Sequence, residues 1–295
     1  MSLVPLLDGF EPVVAAILGL IFGSFANVCI HRLPQRLSVV WPGSSCPRCH
    51  EAIAWYDNLP VVSWLLLRGR CRRCGAGIPA IYPLVEASVA ALFVLLCLQH
   101  GLTPRWAALA YLSLSIVVLI PIDYRHGILP DRVTLPGIAV GLLVSPLSAD
   151  PGFIRAVIGA ATGALVPLSV RALYMAYARV RWSVGRRTVS TEPFTTALAV
   201  EEGEYAEERR EGMGLGDVKM LAMVGAFLGA PRVILTMFLG SVIGTLMVVP
   251  LVLAGRRSMK TPVPFGPFLG VAALASMLLG AEILDWYFGL VIPLP

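Results

Sequence analysis

Residues Gly212–Met220 read GMGLGDVKM and put Asp217 and Lys219 at the head of an otherwise apolar run that ends near Gly229. An ionisable side chain at the end of a membrane-embedded helix is costly, so its default reading is a functional site. Gly214 and Gly216 permit backbone shapes and close approaches that a β-carbon would block. The plainer alternative is a glycine turn followed by an acidic helix cap, which is common in helical proteins. Whether the run lies in a membrane decides between them.

Composition answers that question. The 295 residues are 57% hydrophobic and 14% charged, with a mean hydropathy of +0.79. Soluble domains carry about 25% charged residues, so the chain is expected to be a polytopic membrane protein. Eight apolar runs approach spanning length: Val13–Ile30, Ile81–Leu98, Trp106–Ile122, Val133–Leu147, Phe153–Val180, Leu215–Leu228, Val233–Ala254 and Phe265–Ile292. A span takes about 17–25 residues, so the fourth and sixth are short. The expected fold is all-α, with about eight transmembrane helices and a small zinc-ribbon-like cytoplasmic loop domain. Met1–Pro12 lacks a basic leader region, and no removable signal peptide is expected.

Charge placement sets the expected orientation. Arg32, Arg36, Arg48, Arg68, Arg70, Arg72 and Arg73 crowd the first loop, and further arginines follow the third, fifth and seventh runs. The alternate loops hold little beyond Arg105 and Arg232. By the positive-inside rule the odd-to-even loops are cytoplasmic and both termini periplasmic. A basic loop also suits nucleic acid, but alternation along the whole chain favours topology, and no nucleic-acid partner is expected. The expected division is a first transmembrane helix over 1–31, a cytoplasmic cysteine loop over 32–80, and a membrane core over 81–295. A polar insertion at 181–211, rich in glutamates, interrupts that core.

The first loop holds Cys46-Pro-Arg-Cys49 and Cys71-Arg-Arg-Cys74, two CxxC turns separated by 21 residues. That spacing matches a four-cysteine zinc site, each turn presenting two sulfurs from one bend. Four sulfurs leave no open position, so the metal would be structural. A reducing cytoplasm argues against the alternative of disulfides.

Three stretches place polar residues within apolar runs or at their ends. GSFANVCIHRLP, Gly23–Pro34, brings small residues and Asn27 to membrane depth, and IYPLVEASVAAL puts Glu86 inside the second run. Gly23 is small enough to admit a helix or a ligand. LIPIDYRHGILPDRVTLP carries Asp123 directly after the third run and Asp131 after Pro130. Asp131 is placed as an N-cap, whereas a helix dipole disfavours Asp123 at a C-terminus. Asp123 is therefore the better functional candidate, and it shares the cytoplasmic depth of Asp217. Two carboxylates close together in a low dielectric cannot both ionise easily; the ionised one can take a proton from water while the neutral one polarises a carbonyl. Lys219, two residues beyond Asp217, does not share its helix face.

GMGLGDVK resembles the GxGD signature of intramembrane aspartic proteases. Together with DYRHGILPD, GSFANVCIHRLP, the paired CxxC loop, YPLVEA and PFGPF, the chain is similar to bacterial type IV prepilin peptidases along nearly its whole length. The resemblance implies removal of a basic leader from prepilins and pseudopilins after a glycine, at the cytoplasmic face of the inner membrane. It also implies N-methylation of the new terminal residue with S-adenosylmethionine. Carried over, the catalytic pair is Asp123 and Asp217, with Gly214, Gly216, Asp131 and Lys219 in support. Cys46, Cys49, Cys71 and Cys74 match the family's metal-linked cysteines. Nothing in the residues alone marks a methyl-donor site; Gly23, Asn27 and Glu86 are the places to look. Besides lipid and substrate, a second copy of the chain is an open partner. Competing readings are a proton- or cation-coupled transporter using the same aspartates, a magnesium-dependent transferase, and a structural assembly scaffold. No inverted repeat supports the transporter.

Overall fold

The computed structural model describes residues 9–147, 150–185, 214–255 and 264–291. Among these residues nine α-helices run in chain order: α1 Glu11–Arg32, the short α2 Val62–Leu66, α3 Ile81–His100, α4 Pro104–His126 and α5 Asp131–Val144. Then come α6 Gly152–Gly185, α7 Leu215–Leu228, α8 Ala230–Leu253 and α9 Gly266–Val291. Among the described residues there are no strands, only two isolated bridges beside the cysteine turns. The ends follow local chemistry. Thr103 accepts from the Trp106 amide ahead of α4, Pro104 opens that helix, and Gly127 closes it in the left-handed conformation. Gly229, at φ +80, turns the chain from α7 into α8.

Each of the eight apolar runs carries a helix, but among the described residues six helices are long and apolar enough to cross a membrane: α1, α3, α4, α6, α8 and α9. The expected count of eight spans is therefore not met by length. The helices α5 and α7 have 14 residues each, about 21 Å against a hydrocarbon core of about 30 Å. The helix α6 continues to Gly185; residues 186–211 of the expected polar insertion lie outside the described residues, as do Gly212 and Met213.

Two packed regions share α4 as a spine. Leu109, Leu112, Ile116 and Leu119 face the α7 and α9 side, with Leu221, Val224 and Leu269. Ala110, Val117, Val118 and Ile122 face α1 and α3, with Ala26, Val85 and Val89. From Asp217 to Leu228 every α7 residue except Lys219 is buried, so this short helix is sheathed by protein rather than lipid. Small residues make that possible. A β-carbon on Gly225 would strike the Gly159 carbonyl of α6, and one on Gly163 would strike the Leu221 carbonyl of α7. The two backbones touch, as small-residue crossings in membranes allow. Replacing Gly225 by leucine is expected to cost about 3 kcal/mol or more by overpacking. Thermal unfolding in detergent checks this, and a melting point equal to wild type would refute the contact.

Candidate active site

The metal-type cluster is built from two similar turns. In the first, the Cys46 amide donates to Glu51 O at 3.0 Å and the His50 amide to Cys46 O at 2.9 Å. In the second, the Cys71 amide donates to Ala76 O at 2.8 Å and the Gly75 amide to Cys71 O at 2.9 Å. His50 and Gly75, each just after the second cysteine of its turn, both take positive φ. The four sulfurs of Cys46, Cys49, Cys71 and Cys74 lie within 4.8 Å of one another, and the Cys46 and Cys74 sulfurs are 3.8 Å apart. Tetrahedral zinc at 2.3 Å from each thiolate would set sulfurs about 3.8 Å apart, so the donor set fits that ion. Backbone amides of Cys49 and Arg48 pull the Cys46 thiol down to about 6, while burial and the sulfurs of Cys46 and Cys74 push Cys49 up to about 11. Nearby, Arg72 forks onto Asp57 at 2.6 and 2.8 Å, which holds the Asp57 carboxyl below the usual carboxylate range.

Under this cluster lies a cavity of about 900 Å³, floored by Ser24, Asn27, Tyr82 and Glu86 and walled by Trp41, Tyr56 and Asp57. Asn27 and Glu86 come together there. Asn27 donates from Nδ2 to Tyr82 O at 3.0 Å, and the buried Glu86 accepts the Val61 amide on Oε2 at 2.7 Å. Val61 sits at φ 62, ψ −49, and the Val62 amide bonds back to Pro60 O at 2.6 Å. That is a γ-turn of the rare, strained hand, held against its own preference by the carboxylate beneath. Gly23 follows the helix-packing reading: α3 backbone fills its space, an added β-carbon falling 2.6 Å from Glu86 Cα. It serves helix approach and does not line the cavity.

The two aspartates meet from opposite helix ends. Asp123 lies within the last turn of α4, whose closing bond runs from the Gly127 amide to Asp123 O at 2.8 Å. Asp217 is in the first turn of α7, its amide bonded to Gly214 O at 3.2 Å. Both are buried, 6% and 8% exposed, and near enough for the charge of Asp123 to act on Asp217. Asp123 Oδ2 is buried without a hydrogen-bond partner among the described residues. A buried acceptor left unpaired calls for a functional explanation. Gly216 lets α7 begin against Leu129, whose Cβ would be 3.0 Å from an added β-carbon; one on Gly214 would stand 3.6 Å from Asp217 Oδ2.

Asp131 is not an N-cap. Pro130 holds that position in extended backbone, its carbonyl taking the first helical bonds, which makes Asp131 the first residue of α5. From there its carboxylate reaches across to Lys219 Nζ at 2.6 Å. Lys219 therefore pairs away from Asp217, tying the start of α7 to the start of α5.

Comparison with known proteins names the family. Residues 17–100 match the Bacterial Peptidase A24 N-terminal domain, and residues 109–249 match the Type IV leader peptidase family. A prepilin leader peptidase/N-methyltransferase of Aeromonas salmonicida is 35% identical over 300 residues, covering 92% of each chain. The chain belongs to the type IV leader peptidase family. Relatives of the same description from Aeromonas hydrophila, at 36% identity over 91% of this chain and 90% of its own, and from Myxococcus xanthus, at 39% over 85% and 68%, agree. No solved structure matches. Within this leader peptidase architecture the residue not assigned from sequence is Gly266, inside PFGPF. A β-carbon there would fall 2.5 Å from Asp123 Oδ2, and its amide interacts with the Asp123 carboxyl. The signal was the Pro-Phe-Gly-Pro-Phe break; the contact was invisible because 143 positions separate the two residues.

Elemental analysis of purified protein is expected to give one zinc per chain, falling to background in Cys71→Ser/Cys74→Ser. A wild type free of metal after purification in zinc-supplemented medium would refute the site.

Proposed function

We propose that this leader peptidase is a membrane aspartic endopeptidase that removes the basic leader of type IV prepilins and pseudopilins after a glycine. The cut is made at the cytoplasmic face of the bacterial inner membrane, with both termini periplasmic. Methylation of the newly freed amine follows. The single observation that carries the reading is the buried pair Asp123 and Asp217, mutually repelling, with one carboxylate oxygen unpartnered. In this reading the two share one proton. The ionised member takes a proton from water, whose oxygen attacks the scissile carbonyl. The protonated member gives its proton to the carbonyl oxygen. When the carbon–nitrogen bond breaks, a proton passes to the departing amine. Gly266 and Gly214 leave the two carboxyls unobstructed by side chains. The basic loops beside the pair support a cytoplasmic mouth.

The methyl donor, S-adenosylmethionine, supplies an electrophilic methyl group when bound. The cavity under the cysteine cluster has a volume within the usual range for small-molecule sites, about 300–1,000 Å³. Its lining offers the carboxyl of Glu86, the Asp57–Arg72 pair, and ring faces from Trp41, Tyr56 and Tyr82, which suit a polar, aromatic-bearing ligand. In this reading Asn27 and Glu86 hold the donor, and zinc at Cys46, Cys49, Cys71 and Cys74 keeps the roof in place.

Cleavage of a model prepilin in detergent tests the dyad. Asp123→Asn and Asp217→Asn are each expected to lose at least about a hundredfold in rate. Asp131→Asn should stay within about fivefold, because an exposed ion pair is worth at most about 1 kcal/mol. Activity surviving in Asp217→Asn would falsify the dyad. For the second activity, Glu86→Gln is expected to cut methyl incorporation at least tenfold while cleavage continues. Equal loss of both activities would separate Glu86 from any specific role toward the donor.

A further inference from the structure

At the end of the bundle remote from the aspartates, Arg105 in the first turn of α4 is largely buried, with 15% of its side chain exposed. Its Nη1 donates to Phe227 O, in the last turn of α7, at 3.0 Å. Its Nη2 lies 3.6 Å from Asp150 Oδ2, and Arg232 Nη1, in the first turn of α8, lies 3.2 Å from the same oxygen. The Arg232 carbonyl in turn accepts Ser276 Oγ of α9 at 2.8 Å. One guanidinium thus ties the helix carrying Asp123 to the helix carrying Asp217, and its carboxylate partner links that tie to α8 and α9.

Two physical facts make this more than a surface ion pair. The last carbonyls of any helix lack intrahelical partners, and α7 is too short to bring its C-terminus out of the hydrocarbon unaided. A cation there satisfies a carbonyl and complements the helix dipole. The remaining α4–α7 contact is apolar, such as Tyr111 stacked on Phe227 at 6.1 Å between ring centroids. Apolar burial is non-directional and does not by itself fix how far one helix slides along another. A hydrogen bond to one named carbonyl does. Asp217 stands ten residues, about 15 Å, from Phe227, and Asp123 stands eighteen residues, about 27 Å, from Arg105, so axial slip at the clasp is delivered to the carboxylates along continuous helix.

We infer that Arg105 is a positioning residue for the aspartate pair, setting the axial register of α7 against α4 from the opposite membrane face. The inference rests on the peptidase reading for its consequence in rate, though not for the geometry. A misplacement of about 1 Å at reacting groups costs on the order of a hundredfold.

The test uses the full chain in detergent. Arg105→Met is expected to lower kcat on a model prepilin at least tenfold with KM within about twofold, since substrate docks at the far end. Arg105→Lys, which can still donate to Phe227 O, is expected to restore most of it. Independently of cleavage, spin labels on keto-bearing residues at Tyr124 and Leu215, both exposed beside the pair, report the distance between the two helix ends. That distance is expected to shift or broaden in Arg105→Met and to return in Arg105→Lys. An unchanged distance in Arg105→Met, or equal loss of rate in both variants, overturns the inference. Should Arg105→Met not fold, Arg105→Gln, whose shorter amide falls short of Phe227 O, is measured in the same two ways and judged by the same outcomes. If wild-type protein cuts no prepilin, the peptidase reading fails, while the label distances still decide the register.

Discussion

Backbone contact between α6 and α7 is the constraint from which the rest of this architecture follows. A helix of 14 residues cannot cross the hydrocarbon alone, so its ends and its flanks must be covered by protein. Glycines at 159, 163 and 225 allow α6 to lie directly against it, carbonyl to Cα, and α5, α8 and α9 close the remaining sides. Sheathed in this way, α7 is buried from Asp217 onward apart from Lys219, although Leu215 at its start is exposed. That start is where Asp217 sits, which is why a carboxylate can be buried there at all. Its cost in desolvation is offset by packing energy gathered along the whole helix.

The helix α4 performs a complementary service. One of its faces packs with α7 and α9, the other with α1 and α3, so it joins the region holding the aspartates to the region holding Glu86 and the cysteine turns. Charged groups are confined to its ends and to the neighbouring helix ends, while Ser113 and Ser115 in its middle bond back to carbonyls of their own helix. Asp123 and the Asp131–Lys219 pair occupy one end, and the Arg105–Asp150–Arg232 set the other. Between them the contacts are apolar. The strained turn at Val61 shows the same logic in the loop region: a buried carboxylate on a rigid helix holds a backbone shape the loop would not keep by itself.

Much of this was legible in the chain. Apolar runs marked every long helix, since a membrane span must be written as uninterrupted hydrophobicity. The paired CxxC turns announced their own cluster, because each turn is local and two suffice. Asp123 stood out because a helix C-terminus does not favour a carboxylate. Asp131 misled for a related reason. Proline before an acidic residue looks like a capped helix start, but Pro130 itself takes the boundary, and the free carboxylate finds Lys219, 88 positions away. Gly23 allowed either a ligand or a neighbouring helix, with helix packing the favoured reading, and α3 backbone occupies its space.

The sequence by itself determined the helices, the cysteine turns and the two carboxylates at the mouths of apolar runs, because each depends on residues within a few turns of one another. Only the tertiary structure decided which helices stop short of spanning, that Gly266 lies against Asp123, and that Glu86 supports Val61. It alone brought Arg105 to the far end of α7. Those facts depend on approaches between backbones and on partners distant in the chain, and hydrophobic periodicity carries no record of either.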